Sequence, residues 1–230
     1  RAVTRGHGES YPTDQAGALP GPSTGTGFFI TTSGYLITNH HVVTGAQRIE
    51  VRTGKQKLIA HMIKGDLVND LALLKVEGQF VPLPLGDSRT TRLGEPVFTI
   101  GFPNTTVQGV KPKYSSGRIN SRSGMQDDQR QFQIDVPVQP GNSGGALINE
   151  ATGNVLGVIT CRLDDLKTLN LTGSLPQNVN YALKAEVIRA FVRSAPKVTA
   201  NLIPPSPRAR PTEAVHQTAE AAAVLISVQR

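Results

Sequence analysis

Short apolar runs, each closed by glycine, proline or small polar residues, recur along the chain from Gly25 to Leu183. Their length and their content of β-branched and aromatic residues predict strands. Gly25-Thr26-Gly27-Phe28-Phe29-Ile30-Thr31 and Tyr35-Leu36-Ile37-Thr38, joined by Thr32-Ser33-Gly34, carry a hairpin signature. Runs at 49–52, 57–64, 71–76 and, more weakly, 81–85 complete a first group of about six strands. After a polar stretch at 87–94, a second group follows at 96–101, 113–119, 131–136, 146–149, 155–161 and 179–183. Two sets of short strands read as a pair of β-barrels or a sandwich. Residues 184–193 change period: Ala185, Ile188, Phe191 and Val192 share one helical face and predict a short closing helix. Residues 1–22 read as a surface arm. Beyond Pro196 a proline-rich linker, Ile203-Pro204-Pro205-Ser206-Pro207, leads to an alanine-rich run over 213–224 with helix propensity. That tail is either a linker helix or a segment docking back onto the strands.

Composition refines this picture little. With 23 glycines, 16 prolines and no tryptophan among 230 residues, the chain favours turns and short strands over long helices. The net charge of +7 raises nucleic acid as a partner, but the basic residues are dispersed and not interleaved with aromatics, so a solvated basic surface is expected and no specific nucleic acid. No apolar run approaches the roughly 20 residues that span a bilayer. Cys161 is the only cysteine, so no intramolecular disulfide forms. The chain starts at Arg1 without a signal-type apolar segment, and a targeting peptide is expected to be already absent.

The chemistry gathers around Val138-Gln139-Pro140-Gly141-Asn142-Ser143-Gly144-Gly145-Ala146-Leu147-Ile148. A hydroxyl becomes a nucleophile when a tight turn presents it, a base reaches it and main-chain N–H groups face the oxyanion it creates. The same letters also describe an ordinary glycine-rich turn between strands. A base is on offer in Thr38-Asn39-His40-His41-Val42-Val43, where two histidines end a strand. An imidazole base needs an acceptor that fixes its tautomer. Asp70, opening the apolar run Leu71-Ala72-Leu73-Leu74, is the candidate, its plainer reading being a turn residue capping that strand.

Together, Thr38-Asn39-His40-His41-Val42-Val43, Asn69-Asp70-Leu71-Ala72-Leu73-Leu74-Lys75-Val76 and Gly141-Asn142-Ser143-Gly144-Gly145-Ala146-Leu147 resemble the His, Asp and Ser segments of the trypsin-like serine peptidases, most closely the HtrA/Do-like branch. The likeness extends to Gly25-Thr26-Gly27-Phe28, Gly157-Val158-Ile159-Thr160 and Asn180-Tyr181-Ala182-Leu183, and so covers roughly residues 17–195. It implies an all-β chymotrypsin/trypsin-like fold of two six-stranded antiparallel barrels, over 23–90 and 91–195, with the short helix closing the second and residues 196–230 as a linker and tail. It implies His41 as base, because the family's catalytic histidine directly precedes the Val-Val pair. Asp70 then orients His41, Ser143 attacks, and the N–H groups of Gly141 and Ser143 form the oxyanion hole. The strand around Thr160, Cys161 and Arg162 would pair with substrate as an added antiparallel strand, which makes Cys161 a wall residue. No cofactor and no metal are implied.

Departures from the pattern narrow the branch. Asn142 stands where the digestive trypsins carry an aspartate, and no Ile-Val-Gly-Gly start is visible, so activation by a freed N-terminal amine is not expected. The residues leading to the serine, Val136, Pro137, Val138 and Gln139, would line the primary specificity pocket without an acid, which implies cleavage after small or medium aliphatic residues. HtrA proteins usually carry a PDZ domain, which the residues after Ala195 cannot hold. The expectation is a secreted or periplasmic serine endopeptidase acting on polypeptides, unfolded ones among them. A protease-fold scaffold with an unproductive oxyanion loop, and a basic nucleic-acid binder, are the alternatives.

Overall fold

The computed structural model describes residues 23–160 and 178–230. They form two closed six-stranded antiparallel barrels, the architecture implied by the resemblance. The first barrel takes β1 (Ser23–Phe29), β2 (Tyr35–Thr38), β3 (Arg48–Thr53), β4 (Gln56–Asp66) and β5 (Leu71–Lys75). The second takes β6 (Pro96–Gly101), β7 (Lys113–Ser121), β8 (Gln131–Ile134), β9 (Ala146–Asn149), β10 (Val155–Thr160) and β11 (Asn180–Lys184). Its spatial order is β10-β11-β8-β7-β6-β9.

The sixth strand of the first barrel corrects the expectation. It does not come from residues 81–85, whose ladder contact is a single bridge between Leu85 and Val155. Pro82 and Pro84 lack the N–H that a ladder requires. Instead β12 (Ala223–Gln229), at the end of the chain, enters between β1 and β3, with Gly25 opposite Ile226 and Val51 also opposite Ile226. The tail thus docks back. Two single helical turns, α1 (His40–Val43) and α2 (Thr105–Gln108), follow β2 and β6, and between the closing helix α3 (Ala185–Val192) and β12 run two further helices, α4 (Pro196–Thr199) and α5 (Thr212–Ala222). The linker rests on the second barrel, where the Asn154 amide donates to Ser206 O and accepts from Ser206 N–H, both at 2.8 Å.

Burial on both strand faces explains why many runs are apolar throughout. Successive residues of a strand point to opposite sides. Phe29, Leu36 and Leu74 point into the first barrel, while their neighbours Phe28, Ile37 and Leu73 join a cluster between the barrels with Phe98, Ile148 and Ile188. A second interior cluster of Val97, Phe132, Ile134, Leu147 and Ile159 fills the other barrel. Helix α3 buries the four predicted positions, Ala185, Ile188, Phe191 and Val192. Its outer side ties down the connection between the barrels: Ser88 Oγ and Arg89 N–H donate to Glu186, and Arg189 donates to Leu85 O. The seam between the barrels is therefore packed and bonded, and the candidate residues lie along it.

Candidate active site

The first barrel presents His41 from α1 (His40–Val43), a single helical turn that begins after β2. Val42 and Val43 are buried and fix the turn, while the His41 side chain keeps 44% of its surface exposed. Asp70 faces it from the start of β5, with only 6% exposure. The Asp70 backbone is left-handed, at φ +53°, a conformation Asp tolerates better than most residues and one that functional sites often hold. The turn before it is set by Asp66, whose carboxylate accepts from the N–H groups of Val68 and Asn69 and from the Asn69 amide. Burial pushes the Asp66 carboxyl up, but these bonds and the charge of Lys64 outweigh it and hold the group below its usual range.

Every polar group of Asp70 that faces α1 is engaged. One carboxylate oxygen accepts from His41 N–H at 2.8 Å and the other meets His41 Nδ1 at 2.7 Å. Its carbonyl accepts from His40 N–H at 3.1 Å and from the buried Asn39 amide at 2.9 Å. A carboxylate only accepts, so the proton of this ring sits on Nδ1 and leaves Nε2 as the basic nitrogen. His40 points elsewhere: its ring meets Thr44 Oγ1 at 3.1 Å and lies against Gly65 of β4. The structure thereby separates the two histidines and gives the acid to His41.

Ser143 lies in the other barrel, buried in the loop that leads into β9. This loop is held through main-chain groups. Asn142 N–H donates to Gln139 O, Gly145 N–H to Asn142 O, Gly144 N–H to Ile159 O and Asn104 N–H to Pro140 O, at 2.9 to 3.0 Å. Gly141 and Gly144 take φ of +102° and +86°, which only glycine adopts freely. At Gly144 a Cβ would also collide with Thr26 O and Thr38 Oγ1 and come 2.9 Å from Asn39 N. The residue after Ser143 is thus pressed against the segment that leads into His41.

The peptide planes have definite directions. In a trans peptide the C=O and the following N–H point opposite ways. With Pro140 O bound to Asn104, Gly141 N–H is turned away from Asn104; with Asn142 O bound to Gly145, Ser143 N–H is turned away from Gly145. The join to the first barrel runs through Thr26, which is fully buried in β1. Its N–H donates to Ser143 O at 2.9 Å and its hydroxyl to Gly141 O at 2.6 Å. A Cβ on neighbouring Gly25 would stand 2.6 Å from Val42 on one side and 3.3 Å from Ser143 O on the other. The α1 turn and the serine loop therefore flank one glycine. Nothing in the sequence marked Thr26 or Asn39 as more than a strand former and a helix flank; the only signal was a threonine between two glycines that require close approach.

The remaining expected residues fall as follows. Val138 packs on the second barrel's interior cluster, and Gln139 accepts from the Gln108 and Asn104 side chains at 2.7 and 3.3 Å. Thr160 ends β10 opposite Tyr181 and beyond the last β9 pair, Val158 with Ala146. Cys161 and Arg162 lie outside the described residues. Cavities of about 350 and 360 Å³ are lined by other side chains, such as Tyr114 and His216 in one and Arg89 and Arg193 in the other. Among the described residues no group of three or more His, Cys, Asp or Glu could hold a metal ion, and no helix is long and apolar enough to cross a membrane.

The model of a trypsin-like peptidase domain matches residues 25–158. An uncharacterised protein of Sinorhizobium fredii, y4bJ, is 46% identical over 176 residues, covering 75% of this chain and 27% of that protein. A probable periplasmic serine endoprotease, DegP-like, of Hahella chejuensis is 38% identical over 152 residues, covering 64% of this chain and 31% of its own length. Among solved structures, the HtrA-type protease AlgW with decapeptide superposes with a TM-score of 0.61 at 29% identity, over 75% of this chain and 51% of that one. The chain thus spans 27% and 31% of the length of these two curated relatives.

Proposed function

This chain belongs to the trypsin-like peptidase family, and from that premise we propose that it is a serine endopeptidase using His41, Asp70 and Ser143. The observation that carries the reading is the two-point hold of Asp70 on His41, through the ring Nδ1 and the main-chain N–H. That hold leaves Nε2 basic, and imidazolium formed on it is balanced by the carboxylate. Ser143 Oγ attacks the scissile carbonyl as its proton passes to His41 Nε2. The oxyanion is met by the N–H groups of Gly141 and Ser143, whose directions the tied carbonyls of Pro140 and Asn142 support. Collapse expels the amine with the proton from His41, leaving an acyl-enzyme. Water, activated by the same imidazole, releases the acid and restores Ser143.

Substrates are polypeptides, unfolded ones included, paired as an added strand beside Thr160, where β10 has passed its last pair with β9. Cleavage follows small or medium aliphatic residues. Val136 and Val138 are apolar, and Asp135, the acid of that run, is engaged by Arg118 N–H. The names of relatives such as the Hahella chejuensis protein support a periplasmic site of action. The test is a fluorophosphonate probe with mass-spectrometric mapping, combined with digestion of unfolded casein. The expected result is one adduct, on Ser143, and fragments ending in Ala, Val or similar residues. A wild-type chain that neither labels nor digests, or fragments ending in Lys and Arg, contradicts the reading.

A further inference from the structure

We infer that Thr26, in the first barrel, is the positioning residue of the oxyanion hole in the second; the inference rests on the peptidase reading above. A threonine hydroxyl has one proton and two lone pairs. Phe102 N–H donates into Thr26 Oγ1 at 3.1 Å, which commits the lone-pair side, and the proton is directed to Gly141 O at 2.6 Å. Thr26 is fully buried, so water does not compete for either bond. The result is a one-way relay from Phe102 N–H through the hydroxyl to Gly141 O.

That relay fixes the peptide after Gly141, while Asn104 N–H on Pro140 O fixes the peptide before it. Gly141 sits at φ +102°, where glycine has many alternatives, so local conformational preference does not choose this one. Two tied carbonyls choose it. The main chain of Thr26 adds a third hold, its N–H on Ser143 O, and its own carbonyl is taken by Thr38 Oγ1 at 2.7 Å, two residues before the α1 turn. One buried residue therefore touches both proposed oxyanion residues and the strand that leads to His41. Its strand lies opposite Leu225 of β12, so the end of the chain backs the same position. Correct docking of the barrels and correct aim of Gly141 N–H become one event.

The experiment compares Thr26→Val, which keeps the shape and removes the hydroxyl, with Thr26→Ser, which keeps the hydroxyl. Rates are expressed per site titrated with an active-site label. Thr26→Val is expected to lower kcat on the order of 10- to 100-fold with KM within about threefold, because a misplaced oxyanion donor weakens only the transition state. Thr26→Ser is expected to stay within about threefold of wild type. Should Thr26→Val fail to fold, Thr26→Cys, close to serine in size but a weaker donor, must fall clearly below Thr26→Ser. A Thr26→Val kcat within twofold of wild type overturns the inference, as does an equal loss in Thr26→Ser. The amide NMR signals of Gly141 and Asn142 read the same clamp without catalysis: they shift in Thr26→Val and hold in Thr26→Ser, and unmoved signals overturn it. Failure of the peptidase reading shows separately, as absence of label on wild-type Ser143.

Discussion

In the first barrel, His41 and Asp70 meet through a carboxylate, a ring nitrogen and one main-chain N–H. In the second, Ser143 is framed by main-chain bonds and by two glycines with positive φ. The first half of the site is thus held by a side-chain acceptor, the second by tied main-chain carbonyls, one of them bound by the Thr26 hydroxyl. The two halves should fail differently. If the proposed mechanism holds, a change in the dyad should remove activity and leave the fold, because Asp70 is already in a backbone state that Asn shares. A change in the serine loop should also disturb the seam, because that loop is bonded to the first barrel through Thr26.

The largest effect is expected from removal of β12. Deleting residues 223–230 strips Val224, Leu225, Ile226 and Val228 from the first barrel, all buried. At about 1.5 to 3 kcal/mol for each large aliphatic side chain the loss exceeds about 5 kcal/mol, comparable with the stability of a whole domain. The first barrel should open, seen as loss of amide-exchange protection in β1 and β3, with the second barrel protected longer. Equal loss in both would mean that the barrels do not fold as separable units.

Asp70→Asn addresses the side-chain half. Asn tolerates φ near +53°, so the melting temperature should hold within a few degrees, while kcat/KM falls on the order of 10³- to 10⁴-fold as the ring loses its orienting acceptor. Steady-state kinetics beside thermal unfolding separates the two effects. Gly144→Ala addresses the main-chain half. A Cβ there meets Thr26 O, Thr38 Oγ1 and Asn39 N, none of them the end of a flexible chain, so unfolding in urea should show a loss of about 3 kcal/mol or more. The smallest effect sharpens the surroundings of Asp70. The carboxyl of Asp66 is held below its ordinary value near 3.8, so its stabilisation is complete above that pH and fades as pH falls through the lower folded value. The stability gap between wild type and Asp66→Asn should be below about 1 kcal/mol at pH 6, since the group is partly solvated, and should shrink toward pH 2 in denaturant titrations.

The same two halves differ in how much of them could be read from the chain. Strands β1 to β5, β6 to β11 and helix α3 were legible because apolar runs and turn residues alternate locally, and the order of His41, Asp70 and Ser143 carried the resemblance. Strand β12 was not. Ala219 to Ala223 continue a helical pattern straight into Val224-Leu225-Ile226, both faces of that strand are buried, and its partners β1 and β3 lie at the opposite end of the sequence. Period 2 disappears when neither face meets water. The weak strand at 81–85 misled for a related reason, since its leucines are buried at the seam although its prolines keep it out of a ladder. Thr26 was hidden because its role depends on Gly141 and Phe102, which only the docking of two barrels brings near.

The proposed mechanism requires that a dyad in the first barrel act on a serine in the second. The direct measurement is the second-order rate of fluorophosphonate labelling at Ser143 in the wild-type protein and in folded Asp70→Asn. A fall of at least about 100-fold, with the melting temperature held, is the predicted result. An unchanged labelling rate would show that Ser143 reacts without His41 and Asp70, and would contradict the account.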